Sequence, residues 1–135
     1  MKQLNLLLIL PWLLLSFEAI AEQSLQPQTQ GDVSFVSGGV GSDEQNALQA
    51  MRADYNLSLL FSAQGTGEYL SEVNVNIKNS AGETVLQTVS QGPKLFAKLK
   101  PGRYSITADI DGQAVHKTAK VRSGQMTSLS FTWVQ

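Results

Sequence analysis

The chain has no cysteine and only one histidine. Without cysteine there are no disulfides, no thiolate metal sites, no thiol nucleophile and no lipid-modified N-terminal cysteine. With one imidazole, any site that needs two is excluded. Charge is also scarce: charged residues make up 16% of the chain, against about a quarter in ordinary globular domains. Ten basic residues face eleven acidic ones, for a net charge of −1. No overall basic surplus is available to neutralise a phosphate backbone, so nucleic acid is not expected as a partner. A length of 135 residues fits a single domain.

The long apolar run is confined to the first 21 residues. Lys2 is the one positive charge there, Leu4 to Leu15 is rich in leucine with Asn5 and Pro11 inside it, and Ala19-Ile20-Ala21 places small residues where a signal peptidase reads them. This is the order of a secretory signal, with cleavage expected after Ala21. The run is shorter than the roughly 20 apolar residues a spanning helix needs, and Pro11 interrupts it, so no membrane span is expected after cleavage. Export is therefore expected, to the periplasm if the source is a Gram-negative bacterium and otherwise to the extracellular space. Residues 22–31, EQSLQPQTQG, have no apolar period and read as a flexible leader.

A single domain is expected over 32–135. Residues 32–36 can form a short strand, followed by a Gly-rich loop, Ser37-Gly38-Gly39-Val40-Gly41. Residues 42–53 predict the one helix. Ser42 is placed to cap it, with Gln45 completing a capping box, and Asp43 and Glu44 suit the positive end of the dipole. Ala47, Leu48, Met51 and Tyr55 recur at helical spacing and give an apolar face that should lie on a sheet.

From Leu57 onward the period is two. Leu57, Leu59 and Phe61 alternate with Ser58, Leu60 and Ser62, and Val73, Val75 and Ile77 alternate with polar residues. Ser80-Ala81-Gly82 fits a three-residue hairpin loop, which would set Ile77 opposite Val85 and Val73 opposite Val89. Leu95, Ala97 and Leu99 form another alternating stretch. Tyr104, Ile106, Ala108 and Ile110 lead into Asp111-Gly112, the strongest hairpin signal in the chain, because a type I′ turn needs positive φ at both central residues. That turn sets Ala108 opposite Val115, Tyr104 opposite Ala119, and Lys117 opposite Ile106, where its stem must snorkel. Leu129, Phe131 and Trp133 close the pattern, with Trp133 expected in the core. About seven short strands with one short N-terminal helix predict a mostly β fold, an antiparallel β-sandwich.

Val73-x-Val75-x-Ile77, Gly82, the run Leu99-Lys100-Pro101-Gly102-Arg103-Tyr104-Ser105-Ile106 and Gly112 resemble the carboxypeptidase regulatory-like, or transthyretin-like, domain family. The resemblance spans residues 72–112. It departs at residues 88–93, Thr-Val-Ser-Gln-Gly-Pro, where the family carries a Thr-Asp before a glycine. The resemblance implies a transthyretin-like (prealbumin-like) sandwich and a non-catalytic folding, docking or binding module. The physical logic of the motif agrees. Pro101 presets a turn, and Tyr104 puts a ring into the core with its hydroxyl near the edge.

The chemical candidates are few. His116 shares a polar face with Thr118 and Lys120, with Thr107 as cross-strand neighbour and Asp109 diagonal to it. A hydrolytic role would need a nucleophile and an orienting acid; a solvated strand histidine needs neither. A catalytic zinc of the carboxypeptidase kind needs two histidines and a carboxylate, and the chain has one histidine. Asp109 and Asp111 share a face but lack further acids to complete a Ca²⁺ shell. Gly38 to Gly41 precede a helix N-terminus without the lysine of a P-loop, and Asp43 and Glu44 would repel phosphate. Tyr69, in a Gly-rich loop, is the candidate ligand-binding residue, with Phe96, Phe61 and Trp133 as further aromatic candidates. No catalytic residue, metal site or cofactor is expected. The expected function is a non-catalytic exported module that binds a protein or envelope component. The alternatives are a carbohydrate-binding module and a small hydrolase using His116. The sequence leaves the oligomeric state open.

Overall fold

The structure, a computed structural model, describes residues 25–135; the expected signal segment and its cleavage point lie outside the described residues. The strands are β1 (Gln28–Gln30), β2 (Val33–Gly38), β3 (Leu57–Ala63), β4 (Val73–Lys78), β5 (Thr84–Ser90), β6 (Lys94–Lys98), β7 (Gly102–Ile110), β8 (Gln113–Val121) and β9 (Thr127–Trp133). One helix, α1 (Gly41–Met51), and a 3₁₀ turn (Arg52–Asp54) separate β2 from β3. The strands form a five-stranded sheet in the order β1-β2-β6-β3-β9 and a four-stranded sheet in the order β5-β4-β7-β8. One apolar core joins them, with Phe35, Leu59, Phe61, Leu95 and Phe131 from the first sheet meeting Val75, Ile77, Leu86, Ile106 and Ala108 from the second. The architecture is sandwich-like and mostly β.

Several expectations need correction. The described residues hold nine strands instead of about seven, and the helix follows two of them, so it is not N-terminal. Part of the expected leader is ordered as β1, because Gln28 to Gln30 pair with Val33 to Phe35 across a tight turn at Gly31 and Asp32. The ladders are not all antiparallel: β9 lies parallel to β3 over seven residue pairs, from Leu57–Thr127 to Ala63–Trp133. The β4–β5 register is shifted by one, with Ile77 opposite Leu86 and Val73 opposite Ser90. The loop is still the one expected. Asn79 N–H donates to the Glu83 carbonyl, and Asn79 Oδ1 accepts the N–H groups of Ala81 and Glu83. A bulge between that loop and Ile77 then inserts Val85. A one-residue slip exchanges the two faces of a strand. Leu86 and Ser90 are therefore buried, and Val89 is left exposed.

The other hairpin matches its expected register. Asp111 and Gly112 both have positive φ, at 51° and 86°, and Ala108–Val115, Tyr104–Ala119 and Ile106–Lys117 are opposed. Asp109 Oδ1 accepts the Gly112 N–H at 3.0 Å, which ties the turn to its own strand.

The helix lies on the outer side of the first sheet. Leu48 and Tyr55 meet Val36 and Phe96, with Met51 partly buried beside them. On β6, Leu95 and Ala97 point into the central core, so Phe96 between them points outward under the helix. The expected apolar face is correct, but the cap is not Ser42. Val40 is the N-cap residue, and Glu44 Oε1 accepts the N–H groups of Gly39 and Val40 at 3.1 and 3.0 Å. Gln45 Nε2 donates to the Gly39 carbonyl instead of completing a box.

Two polar residues fix the end of the molecule. Asn56 is buried with each of its four polar groups bonded: its N–H to the Ala97 carbonyl, its carbonyl to the Thr127 N–H, and its side-chain amide to both backbone groups of Leu99. It ties β3, β6 and β9 together. Tyr104 Oη donates to the Lys100 carbonyl at 2.7 Å, a tyrosine reaching back across the Pro101-Gly102 turn as tyrosine corners do.

Candidate functional site

The two sheets differ in what covers their outer sides. The first has α1 on it. The four strands of the second carry polar and charged side chains outward, with Val89 of β5 and the small Ala114 of β8 as exceptions, while Val85 in the bulge packs against the core. On β7, Tyr104, Ile106 and Ala108 are buried, so Arg103, Ser105, Thr107 and Asp109 face away from the core. The same alternation turns Asn74, Asn76 and Lys78 of β4 outward, and His116, Thr118 and Lys120 of β8.

Strand pairing aligns these residues in rows across the sheet. Gln87 of β5 stands opposite Asn76 of β4, Asn76 opposite Thr107 of β7, and Thr107 opposite His116 of β8. Thr107 Oγ1 and His116 Nδ1 are 2.8 Å apart, and Asn76 Nδ2 lies 3.5 Å from Gln87 Oε1. The next row toward the Pro101-Gly102 turn holds Lys78, Ser105 and Thr118, and beyond it Arg103 stands opposite Lys120. This face can donate and accept hydrogen bonds along a flat strip and present positive charge at one end.

His116 and Thr107 are brought together as the hairpin register predicts. Asp109 does not join them as an orienting acid, since its Oδ1 accepts the Gly112 N–H. Asp109 and Asp111 flank the same turn, and among the described residues no group of three or more His, Asp or Glu side chains is arranged to hold a metal ion.

Tyr69 is 51% exposed on the connection between β3 and β4, where its backbone bridges to Ser62. It is not on the open face of the second sheet. The other aromatic candidates are structural: Phe96 is 2% exposed under α1, Phe61 is fully buried, and Trp133 is 3% exposed. Trp133 Nε1 donates to the Gln113 carbonyl at 2.9 Å. Burial raises the phenol pKa of Tyr55, with the nearby Asp54 charge adding to it; burial also raises that of Tyr104, partly offset by Lys100.

Two grooves lie elsewhere. One, of about 1010 Å³, opens at the end of the first sheet beside Arg52, Asp54, Asn56, Lys98, Lys100 and Met126. Another, of about 440 Å³, runs between the β1–β2 and β4–β5 turns past Gln30, Asp32, Asn79, Glu83 and Tyr104. The buried polar groups in their walls, Asn56 and the Tyr104 hydroxyl, already have protein partners.

Sequence reasoning missed the roles of Asn56, Glu44 and Gln30, and the rows of the open face. The opposition of Arg103 and Lys120 was present in the β7–β8 register. Gln87 could be placed only once the Val85 bulge was known.

These features define a small mostly β module with one covered sheet and one open sheet. Residues 56–132, more than half of the chain, match the Rhizobiales growth-associated tandem repeat domain, and the chain belongs to that family. No curated protein matches it. The matched span begins at Asn56 and runs into β9, so it contains the whole open sheet. β1, β2 and α1 lie before it.

Proposed function

We propose that the chain is a non-catalytic exported β-sandwich module whose open four-stranded face binds an envelope component. The observation that carries this reading is the contrast between the sheets: α1 covers the outer side of the first, and among the described residues no element covers the second. The open sheet lies within the family's matched span, and the family description associates the repeat with growth, which fits a role in the envelope. The transthyretin-like identity is part of the proposal. It rests on the Pro101-Gly102-x-Tyr104 turn, where Tyr104 closes back onto Lys100. Export rests on the Lys2, Leu4 to Leu15 and Ala19-Ile20-Ala21 pattern. Among the described residues no helix is long and apolar enough to cross a membrane.

The absence of cysteine makes a direct test simple. Asn74→Cys, on the open face, and Gln49→Cys, on α1, each give a unique thiol for a bulky maleimide polymer. The Asn74 label is expected to release the protein from the envelope fraction, while the Gln49 label leaves it bound. The reverse result would assign binding to the helix side and end this reading. A second reading, a carbohydrate contact at Tyr69, is favoured by its exposed ring. It predicts glycan-array binding that Tyr69→Ala abolishes.

A further inference from the structure

We infer that the cationic end of the open face is a binding site for an anionic polysaccharide, one bearing carboxylate or phosphate groups. This rests on the reading of that face as the binding surface and names what it binds.

The inference starts from a charge arrangement that folding does not explain. Arg103 and Lys120 stand directly opposite each other on β7 and β8, both exposed. Like charges in that position destabilise a sheet. Lys78 lies on the neighbouring β4, opposite Ser105, which is two residues along β7 from Arg103 on the same face. The only ion pair among the described residues is Lys100–Asp32, so Lys78, Arg103 and Lys120 have no acidic partner among those residues. On the strand face itself the acid is Asp109, at the other end of β7, where it bonds to Gly112, and Glu83, in the loop beyond Lys78, accepts a hydrogen bond from Asn79. The near-neutral net charge therefore conceals a local segregation. Acids gather on α1 and the connecting turns, and this corner is left positive. An anion placed across it would remove the repulsion and be attracted by three cations.

The surroundings select the class of anion. Ser105 and Thr118 put hydroxyls between the cations, and the Gln87–Asn76–Thr107–His116 row continues the strip with amides, a hydroxyl and an imidazole. Neighbouring strands lie about 4.8 Å apart, so this strip repeats polar groups along a line, as an extended hydroxylated polymer does. A protein partner would call for an apolar patch at the centre of its interface, and a lipid surface for apolar side chains to insert. The exposed large apolar residues are Val40, Tyr69, Val89 and Val134. Only Val89 is on this face, on the far strand from Lys120.

The test measures binding of the exported protein to polygalacturonate, to neutral dextran and to phosphatidylglycerol vesicles, at low and high salt. The protein is expected to bind polygalacturonate in a salt-sensitive way and to ignore dextran. Arg103→Gln/Lys120→Gln should weaken that binding by about tenfold or more, with a melting temperature equal to or above that of the wild type. The exposed single variant Lys78→Gln should weaken it as well. The charge-matched control Arg52→Gln/Lys98→Gln, on the other side of the molecule, should bind as the wild type does. Equal loss in the control, or vesicle binding without polygalacturonate binding, would overturn the inference. If no probe binds, the inference fails; the reading of the face fails separately, only if the Asn74 label also leaves the protein in the envelope fraction.

Discussion

The sandwich is open along two sides, and it closes them by different chemistry. On one side β1 meets β5, the edge of the other sheet. The Gln30 side-chain amide copies a strand there: its Oε1 accepts the Gln87 N–H at 2.8 Å and its Nε2 donates to the Gln87 carbonyl at 3.1 Å. Ser37 Oγ accepts the N–H of Gln91, four residues further along the same edge. On the other side β9 meets β8. Trp133 packs against Phe61 and Phe131 and donates to Gln113, Thr127 Oγ1 donates to the Lys120 carbonyl, and Lys117 Nζ sits 5.8 Å from the centre of the Phe131 ring. The first seam is exposed hydrogen bonding. The second adds buried aromatic area and a cation–π contact. An exposed amide bond exchanges water for protein at little net gain, whereas a buried indole removes a large apolar surface from water. The comparison implies that stability lies mostly in the β8–β9 seam, while the β1–β5 seam mainly blocks an edge that would otherwise pair with another strand. Lys117 gives β8 the same protection, since an inward-pointing charge discourages strand addition. The residue that breaks the apolar pattern at Ile106 therefore has a structural use.

The largest effect should come from the aromatic seam. Trp133→Ala is expected to cost about 3–5 kcal/mol, read as a fall in the denaturation midpoint. Trp133→Phe should cost far less than this, because the ring is kept and mainly the bond to Gln113 is lost. If the alanine variant melts as the wild type does, the seams are equivalent and the comparison fails.

Next in size is the turn that carries β8 to this seam. Gly112→Val meets no neighbouring atom within 4 Å of the added Cβ, so its cost is conformational. A β-branched residue at positive φ should lose about 1–3 kcal/mol, measurable by the same denaturation experiment.

The polar seam should respond least to truncation. Gln30→Ala is expected to cost about 0.5–1.5 kcal/mol. It should also raise self-association through the uncovered β5 edge, seen by light scattering at rising concentration. A cost as large as that of Trp133→Ala would reverse the order of the two seams.

A smaller effect separates both seams from the rest of the molecule. Tyr55 and Tyr104 have phenol pKa values raised by burial, so below the usual tyrosine value of about 10 both states are neutral and their stability is intact. Above that value the unfolded chain ionises first, and stability falls as pH rises. Gln30, Ser37, Thr127 and Trp133 have no proton that titrates in this range. Wild type and Gln30→Ala should therefore lose stability in parallel on the alkaline side, and Tyr55→Phe should flatten the slope.

Local signals carried much of this fold. The β7–β8 register was legible because Asp111-Gly112 fixes a two-residue turn and the alternation on both sides agrees with it. The face of α1 was legible from Leu48, Met51 and Tyr55. The cap was not, because Ser42 and Glu44 are both plausible partners for a helix start, and the choice depends on how the chain leaves β2 through Gly39. Of the candidate site, the Thr107–His116 pairing followed from the hairpin; the Arg103–Lys120 opposition was implicit in the same register but unread, and the junction with Asn76 and Gln87 did not follow from it.

The sequence by itself determined which residues alternate, where the chain turns, and that Phe61, Phe131 and Trp133 belong to the core, because these follow from periods and φ preferences within a few residues. Tertiary structure decided the parallel β3–β9 pair, the ordering of β1, the Val85 bulge and the exposure of one sheet face. All but the bulge depend on partners distant in sequence, such as Gln30 with Gln87 or Asn56 with Leu99, and the bulge accompanies the burial of Leu86 in the core. A hydrogen bond of that kind leaves no periodic trace in the chain, since its two ends are brought together only when the sheets pack.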